Sequence, residues 1–401
     1  LQRTLTENIN VRAQVEPLPE FRIDLTAQRT FGDQYSSTYR YSTGRGPDTA
    51  FGQGFRHFSP QQLQNFTMSW WAFNSAFENS PEPEFKSVVY DLFRANRLVF
   101  SDRLAAQHAL DNPGYVPTYI SDPDSSRYGY DGFSVIQQDV LVRSFLSAYG
   151  GDPAATASLG AITNGLPRPN WKVNYTGLQN IEWVKRNFTS VALSHGYTGN
   201  LTATGIQTNM LRAQKLEDNP LNAFPRNDNN DVLSELQIGQ ISMSENFSPL
   251  VGVQVRTKSN ATFKIDINRS RQIALSLANN QFNETKSRDL TLGVGYIIPD
   301  VKFTVVDQAG GRTQVKSNLE LKLDVRFNDN QTVIRKILED FVQPTAGQRR
   351  TTIKFTADYR LSRRLTAQAY YDQSASRFKT GNAFPTAQVQ AGFAFKLNLG
   401  G

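Results

Sequence analysis

The stretch LELKLDVRF, Leu319–Phe327, decides how the rest of the chain is read. Its odd positions are Leu319, Leu321, Leu323, Val325 and Phe327, and its even positions are Glu320, Lys322, Asp324 and Arg326. Successive side chains of a β-strand point to opposite faces, so this alternation describes a strand with one apolar and one charged face. Soluble strands average about 5–6 residues. A strand tilted across a bilayer needs roughly 9–11. The apolar face here stays free of charge for that longer distance.

The same pattern recurs along the chain. Ile9, Val11, Ala13 and Val15 alternate with polar residues, as do Phe21, Ile23, Leu25 and Ala27. So do Phe263, Ile265 and Ile267, then Ile353, Phe355, Ala357, Tyr359 and Leu361, then Leu365, Ala367, Ala369 and Tyr371. The last run is Val389, Ala391, Phe393, Phe395, Leu397 and Leu399. Counted this way the sequence predicts an all-β protein of about 15 antiparallel strands. Two stretches break the alternation. Residues 84–110 place Phe85, Val88, Val89, Leu92, Phe93, Leu98 and Leu104 at helical spacing, and residues 133–149 do the same with Val135, Ile136, Val140, Leu141, Phe145 and Leu146. The predicted organisation is barrel strands in 1–77, a partly helical extracellular insertion in 78–169, and C-terminal barrel strands in 170–401.

Two observations favour lipid over a protein core on the apolar face. The runs 21–31, 315–328, 351–361 and 386–399 reach bilayer-crossing length, and a Lys or Arg on a lipid face would cost about 2–4 kcal/mol near the midplane. The loops also sort by length. If the last strand runs from outside to periplasm, the inner turns become 362–363, 307–312, 268–271, 245–248, 178–188, 44–64 and 17–20. The outer connections become 374–385, 329–350, 281–287, 209–231 and the insertion. Short periplasmic turns and long external loops mark outer-membrane barrels. The segment 44–64 is long for its side, and turns near Gly32 and Lys258 are short for theirs. Tyr35, Tyr39, Tyr41, Trp70, Trp71, Tyr296, Phe327, Tyr371 and Phe395 fall towards predicted strand ends, where aromatic girdles lie.

The predicted lipid-facing residues include Leu319, Leu321, Leu323, Val325, Ile353, Phe355, Phe393, Phe395 and Leu397. The predicted lumen-facing set is Glu320, Lys322, Asp324, Arg326, Lys354, Asp358, Arg360 and Lys396, a wet, mixed-charge surface that a dry interior would not tolerate. An odd strand count cannot close with every neighbour antiparallel, so the chain is expected to be part of a larger barrel.

Bulk composition agrees. The 401 residues are 39% hydrophobic, and mean hydropathy is −0.47. No apolar run approaches the ~18 residues of a membrane helix. Without cysteine there is no thiol nucleophile or thiolate metal site. The net charge of +7 is interleaved with acids along strands, which argues against a nucleic-acid partner. The three histidines, His57, His108 and His195, lack metal-ligand spacing. The glycine-rich 44–54 lacks the Lys-Ser/Thr of a phosphate loop. DPDSSRYGYDG (122–132) does not meet calcium-loop spacing, and RNDNND (226–231) reads as a solvated acidic loop. No nucleophile–base or carboxylate pair stands out, so neither an enzyme nor a cofactor is expected.

Several strings carry a family resemblance: LPRPNWKVNYTGL (166–178), NFTSVALSHGYTGNL (187–201), FSPLVGV (247–253), RSRQIALSLANNQFNETKS (269–287) and DNQTVIRKILEDFVQPTAGQ (329–348). In order along the chain they resemble the C-terminal region of the SprA/Sov family, the outer-membrane translocons of the type IX secretion system, linked to gliding motility in Bacteroidetes. The most specific element contains Arg335, Gln343, Pro344 and Gly347. The resemblance implies a giant single-chain barrel in the bacterial outer membrane that exports folded proteins. It also implies several partners: a PorV-like outer-membrane shuttle protein, a periplasmic plug protein, cargo with a C-terminal signal domain, and the N-terminal remainder of the same barrel. The other readings are a lipopolysaccharide-assembly or TonB-dependent nutrient-transport barrel and a soluble β-rich adhesin.

Overall fold

The computed structural model describes residues 1–43, 53–72, 75–78, 84–121, 128–218, 224–306, 311–339, 341–362, 364–381 and 383–397. The segments that open the chain are β1 (Gln2–Leu18), β2 (Phe21–Thr43) and β3 (Gln53–Ser69). The insertion follows, with α1 (Val88–Asp111), the short strands β4 (Tyr119–Ile120), β5 (Gly129–Tyr130) and β6 (Phe133–Ser134), and α2 (Gln138–Gly150). Next come β7 (Asn170–Tyr175), α3 (Glu182–Asn187), β8 (Phe188–Thr208), α4 (Met210–Asp218) and β9 (Leu236–Gln237). The remaining strands are β10 (Gln240–Thr257), β11 (Ala261–Ser276), β12 (Gln281–Val306), β13 (Arg312–Lys336), β14 (Phe341–Arg360), β15 (Leu365–Phe378) and β16 (Thr386–Leu397).

The fold is all-β. A thirteen-stranded sheet runs in the order β1-β2-β3-β8-β10-β11-β12-β13-β14-β15-β16, with β7 and β9 beside this path. Every pairing in it is antiparallel. The expected fifteen or so strands become thirteen because several predicted turns lie inside strands. Residues 245–248, 268–271 and 281–287 all fall within ladders, as does Gly32 in the middle of β2. The predicted loop 329–350 shrinks to the turn 337–340 between two long strands. Asn260 and Asn280 hold the turns after β10 and β11 at φ 64 and 49, a left-handed conformation that asparagine tolerates.

One strand of the sheet is built from two pieces. β2 pairs with β3 through Arg29–Thr43 and with β7 through Phe21–Thr26. β8 pairs with β3 through Asn200–Gln207 and with β7 through Leu193–Tyr197. β3 and β7 therefore run end to end in one column, and the insertion leaves and re-enters the sheet between Ser69 and Asn170. It is an excursion from mid-strand that starts earlier than the expected residue 78, and it does not link two strand ends. The Trp70 amide donates to Gly199 O at 3.0 Å at the exit.

The register also shows what the insertion packs on. In β12, Leu290, Leu292, Val294 and Tyr296 share a face with Phe282, Glu284 and Lys286, because no bulge intervenes from Gln281 to Ile298. The same holds in β11, where Ile265 and Ile267 continue into Arg271, Ile273 and Leu275. The apolar face is thus one continuous surface. Over half its height it is exposed: Val294 is 44% accessible and Phe263 43%. Over the other half the helices cover it. Phe93, Phe145, Tyr149 and Phe282 are all 0% accessible, in one cluster with Phe66, Met68, Leu201, Ile241 and Ile273. Each such aromatic or aliphatic side chain contributes about 1.5–3 kcal/mol.

Local chemistry fixes the two helices. Ser87 caps α1, its Oγ accepting from Tyr90 N. Gln137 caps α2 by accepting from Asp139 N and Val140 N, and α2 ends where Gly151 turns left-handed at φ 82. Each starts inside the range expected from helical spacing and ends one residue beyond it, at Asp111 and Gly150.

With strands extended and turns reassigned, the contrast in length between the two ends narrows. At the exposed-belt end the connections are 19–20, 176–187, 258–260, 307–311 and 361–364. At the insertion end they are 44–52, 209–239, 277–280, 337–340 and 379–385. The three segments that fitted badly are resolved: 44–52 joins strands at the insertion end, Gly32 is not a turn, and the Lys258 turn lies at the belt end.

Candidate functional site

The sheet itself is the candidate site, a wall with chemically opposite faces. All eight residues of the predicted lumen set lie on one face: Glu320 is opposite Asp358, Asp324 opposite Lys354, and Arg360 and Lys396 both flank Thr366. Lys322 and Arg326 share that face by alternation. The face is mainly polar, with Leu63, Ile297 and Tyr370 among its exceptions. Arg326 Nε donates to Asp289 Oδ2 at 2.6 Å, Gln368 Nε2 donates to Asp358 Oδ1 at 2.7 Å, and Lys264 lies 2.7 Å from Asp266. Asp289 is buried beneath its arginine, whereas the Lys264–Asp266 pair is more exposed and worth about 0–1 kcal/mol. Their consequence is a hydrated surface of mixed sign.

The nine residues of the predicted lipid set share the other face: Leu319, Leu321, Leu323 and Val325 stand opposite Tyr359, Ala357, Phe355 and Ile353. Phe393, Phe395 and Leu397 stand opposite Ala369, Ala367 and Leu365, and are 85%, 70% and 60% accessible. From Leu319 to Phe327 this belt is about 27 Å long at ~3.4 Å per residue. Contiguous apolar exposure on this scale marks an interaction surface.

The aromatic girdle expected from sequence is only partly present. Tyr296 and Phe327 lie at the two margins of the belt, but Tyr371 sits mid-belt opposite Phe355. Tyr35, Tyr39 and Tyr41 lie far along β2 at the insertion end. Trp70 packs under Arg168, whose guanidinium is 4.1 Å from its ring.

Where helices meet sheet, beyond the belt, there is a buried charge cluster. Arg335 is 1% accessible. Its Nη1 donates to Glu284 Oε2 at 2.9 Å and its Nη2 donates to Phe85 O at 2.9 Å, just before α1. Arg271 Nε donates to the other Glu284 oxygen at 2.8 Å, and Arg271 Nη1 donates to Ser75 O at 2.5 Å and Ser75 Oγ at 2.7 Å. Lys286 Nζ is 3.2 Å from Glu284. Glu245 and Glu78 each lie 3.9 Å from Arg271. Glu78 also accepts from Ser87 Oγ and Val89 N at the start of α1. Three cations and three carboxylates thus lock the insertion to the sheet. Burial pushes the Glu284 carboxyl up, but Arg271, Lys286 and Arg335 outweigh it and hold it at about 2. Burial raises Glu245, and Arg271 and the Tyr197 hydroxyl only partly offset that.

Arg335 is thus the one motif residue that reaches this lock. Gln343, Pro344 and Gly347 form the irregular start of β14, where a bulge at Thr345 places Ala346 opposite Thr332 and Pro344 opposite Val333. A bulge is where a strand accepts proline. Gly347 O accepts from Lys379 N, and a Cβ at Gly347 would lie 3.0 Å from Lys379 Cβ.

Sequence reasoning missed Glu245, Arg271, Glu284 and Lys286. Their charges occupy apolar-face positions, so they interrupt the alternation and resemble turn residues in the sequence. The available signal was opposite charge at matching parity on successive strands.

The remaining candidates are structural. His108 packs edge-on against Tyr115, Phe133 and Phe224. His195 Nδ1 lies 2.7 Å from Leu250 O, and the side chain of His57 lies outside the described residues. Asp231 of the loop 226–231 accepts from Ser134 N and Oγ, and Asn227 accepts from two amides of its own loop. The loop is docked through Asp231, while Asp228, Asn229 and Asn230 stay exposed to solvent as expected. Residues 44–52, 122–127 and 398–401 lie outside the described residues. Among the described residues no group of three His, Cys, Asp or Glu is arranged to hold a metal ion, and no helix is long and apolar enough to cross a membrane. No family model matches the chain, and no curated protein matches it.

Proposed function

We propose that this chain is a wall segment of a giant outer-membrane β-barrel that conducts folded protein cargo, of the type IX secretion translocon kind. One observation carries the membrane part: a sheet that is mainly polar on one side bears, on the other, an exposed apolar belt about nine residues long, the roughly 9–11 residues a tilted bilayer-crossing strand needs. Hydrocarbon covers the belt, and the polar face lines a water-filled lumen.

The edges support a larger barrel. Among the described residues β1 and β16 each pair on one side only, and both run from the insertion end towards the belt end. Direct closure would make a parallel seam, whereas barrels of this class are antiparallel. An odd number of further strands restores the alternation. A mixed-charge lumen keeps a cargo surface hydrated and presents no large single-sign field to trap it. In this reading the insertion is a collar on the outer surface of the wall, since it packs on the belt face and not on the lumen face. It does not gate the pore from within. The strings of residues 166–348 support the secretion part, and with it a PorV-like shuttle, a periplasmic plug protein and cargo bearing a C-terminal signal domain as partners.

Two measurements test the reading. The chain should require detergent or lipid to remain dispersed; a monomer folded in plain buffer would refute the membrane assignment. Co-purification of the whole barrel with shuttle-like and plug-like proteins supports secretion. Co-purification with lipopolysaccharide-assembly or energy-coupling components would point to the alternative transport barrels instead.

A further inference from the structure

The margin of the belt facing the insertion is basic. Along the belt face, β11 passes from Ile267 to Arg269, β12 from Leu290 to Arg288, β13 from Phe327 to Asp329, and β14 from Thr351 to Arg349. These residues are register partners. Arg269 stands opposite Arg288, Arg288 opposite Asp329, Asp329 opposite Arg349, and Arg349 opposite Arg377. Four arginines and one aspartate thus fill one row over five adjacent strands. The aspartate is already engaged, 3.1 Å from Arg349 and 2.5 Å from Lys379. Like charges directly opposite one another destabilise a sheet, yet Arg269/Arg288 and Arg349/Arg377 are two such pairs.

The row borders a groove of about 520 Å³ whose lining includes Leu250, Ile267, Arg269, Arg288, Phe327 and Arg349. Its floor continues the apolar belt and its rim is cationic. The Arg269 guanidinium lies 4.8 Å from the Phe77 ring of the insertion, and its Nη2 is buried with no hydrogen-bond partner. Phosphate oxygens match arginine donors in both charge and geometry.

We infer that this groove binds the phosphate groups of a membrane lipid headgroup, with the acyl chains lying along the belt below. The inference rests on the membrane reading, since the acyl chains need the belt to face hydrocarbon. An apolar floor distinguishes a lipid from free phosphate, which would need the rim alone. Arg269, Arg288 and Arg349 supply the charge-assisted hydrogen bonds.

The test uses the full chain in dodecylmaltoside micelles carrying either diphosphoryl lipid A or its dephosphorylated form, with bound lipid counted by native mass spectrometry. The diphosphoryl form should bind at least about tenfold more tightly, and Arg269→Gln with Arg288→Gln and Arg349→Gln should erase that preference. Arg256→Gln, on the polar face, should leave it intact. Equal binding of the two lipids by the unmodified chain would overturn the inference whether or not the triple variant folds. So would inorganic phosphate competing at the same concentration as the lipid. A chain that needs the micelle but shows no phosphate preference leaves the membrane reading standing, whereas a chain dispersed without amphiphile removes both.

Discussion

Arg335 on β13 reaches Glu284 on β12 at 2.9 Å, with both side chains at or below 2% accessibility, and its second nitrogen holds the carbonyl of Phe85. This contact crosses from sheet to insertion over 250 residues of sequence. Glu284 is the hub, touched by Arg271, Lys286 and Arg335 together.

Removing the hub should therefore do more harm than removing one spoke. Glu284→Gln leaves two buried arginines and the partly buried Lys286 without their shared anion, and Arg335→Leu leaves an anion that still has two. Breaking a buried pair costs about 3–5 kcal/mol. Hydrogen exchange should show α1 and α2 losing protection in both variants, more in Glu284→Gln, with the belt strands β13–β15 unchanged. Equal protection in wild type and Glu284→Gln would show that apolar packing alone seats the helices.

The insertion should weaken in mild acid. Burial, then the nearby Arg226, lower the His108 pKa, and Asp111 opposes them only partly. The unfolded chain then takes up a proton near pH ~6.5, before the folded one does. Stability is full above that pH, falls as the pH drops through it, and levels off below the folded pKa. Thermal melts at pH 7.5 and 5.5 should show the loss, and His108→Phe should flatten it. Glu284, held at about 2, keeps its contribution down through the usual carboxylate range, so it does not account for a transition near pH 6.

The two faces should answer differently to the same charge. Leu323→Arg places a guanidinium mid-belt and should cost about 2–4 kcal/mol of insertion free energy. Gln390→Arg, on the polar face opposite Asp372, should change it by no more than about 0.5 kcal/mol. Refolding into short-chain lipid vesicles measures both, and similar costs would mean that hydrocarbon does not cover the belt.

The exit of the insertion is sterically tight. A Cβ at Gly199 would collide with the Trp70 carbonyl, which is backbone, so Gly199→Ala must shift the chain where it leaves the sheet. The expected cost is about 1–3 kcal/mol. At Gly295 the nearest atom would be 3.7 Å away, and alanine there should be neutral or stabilise by roughly 0.5–1 kcal/mol. Denaturant melts of the two variants separate steric crowding from a general loss of glycine.

The sequence by itself determined the strands and their two faces. Leu319–Phe327 shows its parity without any partner, because a strand's side-chain period is a local property of the backbone. The same is true of the eight charged and nine apolar residues assigned to opposite sides, and of the two helices, whose caps and spacing are also local. Tertiary structure decided what covers the apolar face. Glu245, Arg271, Glu284 and Lys286 look like turn residues in isolation, since a charge at an apolar position ends the pattern. They are strand residues because α1 and α2 cover them and opposite charges on adjacent strands neutralise one another. Likewise, only register could align Arg269, Arg288 and Arg349 in one row, or show that β3 and β7 form a single column. Pairing between distant strands is a non-local choice, settled by which faces bury together and not by any one segment's alternation.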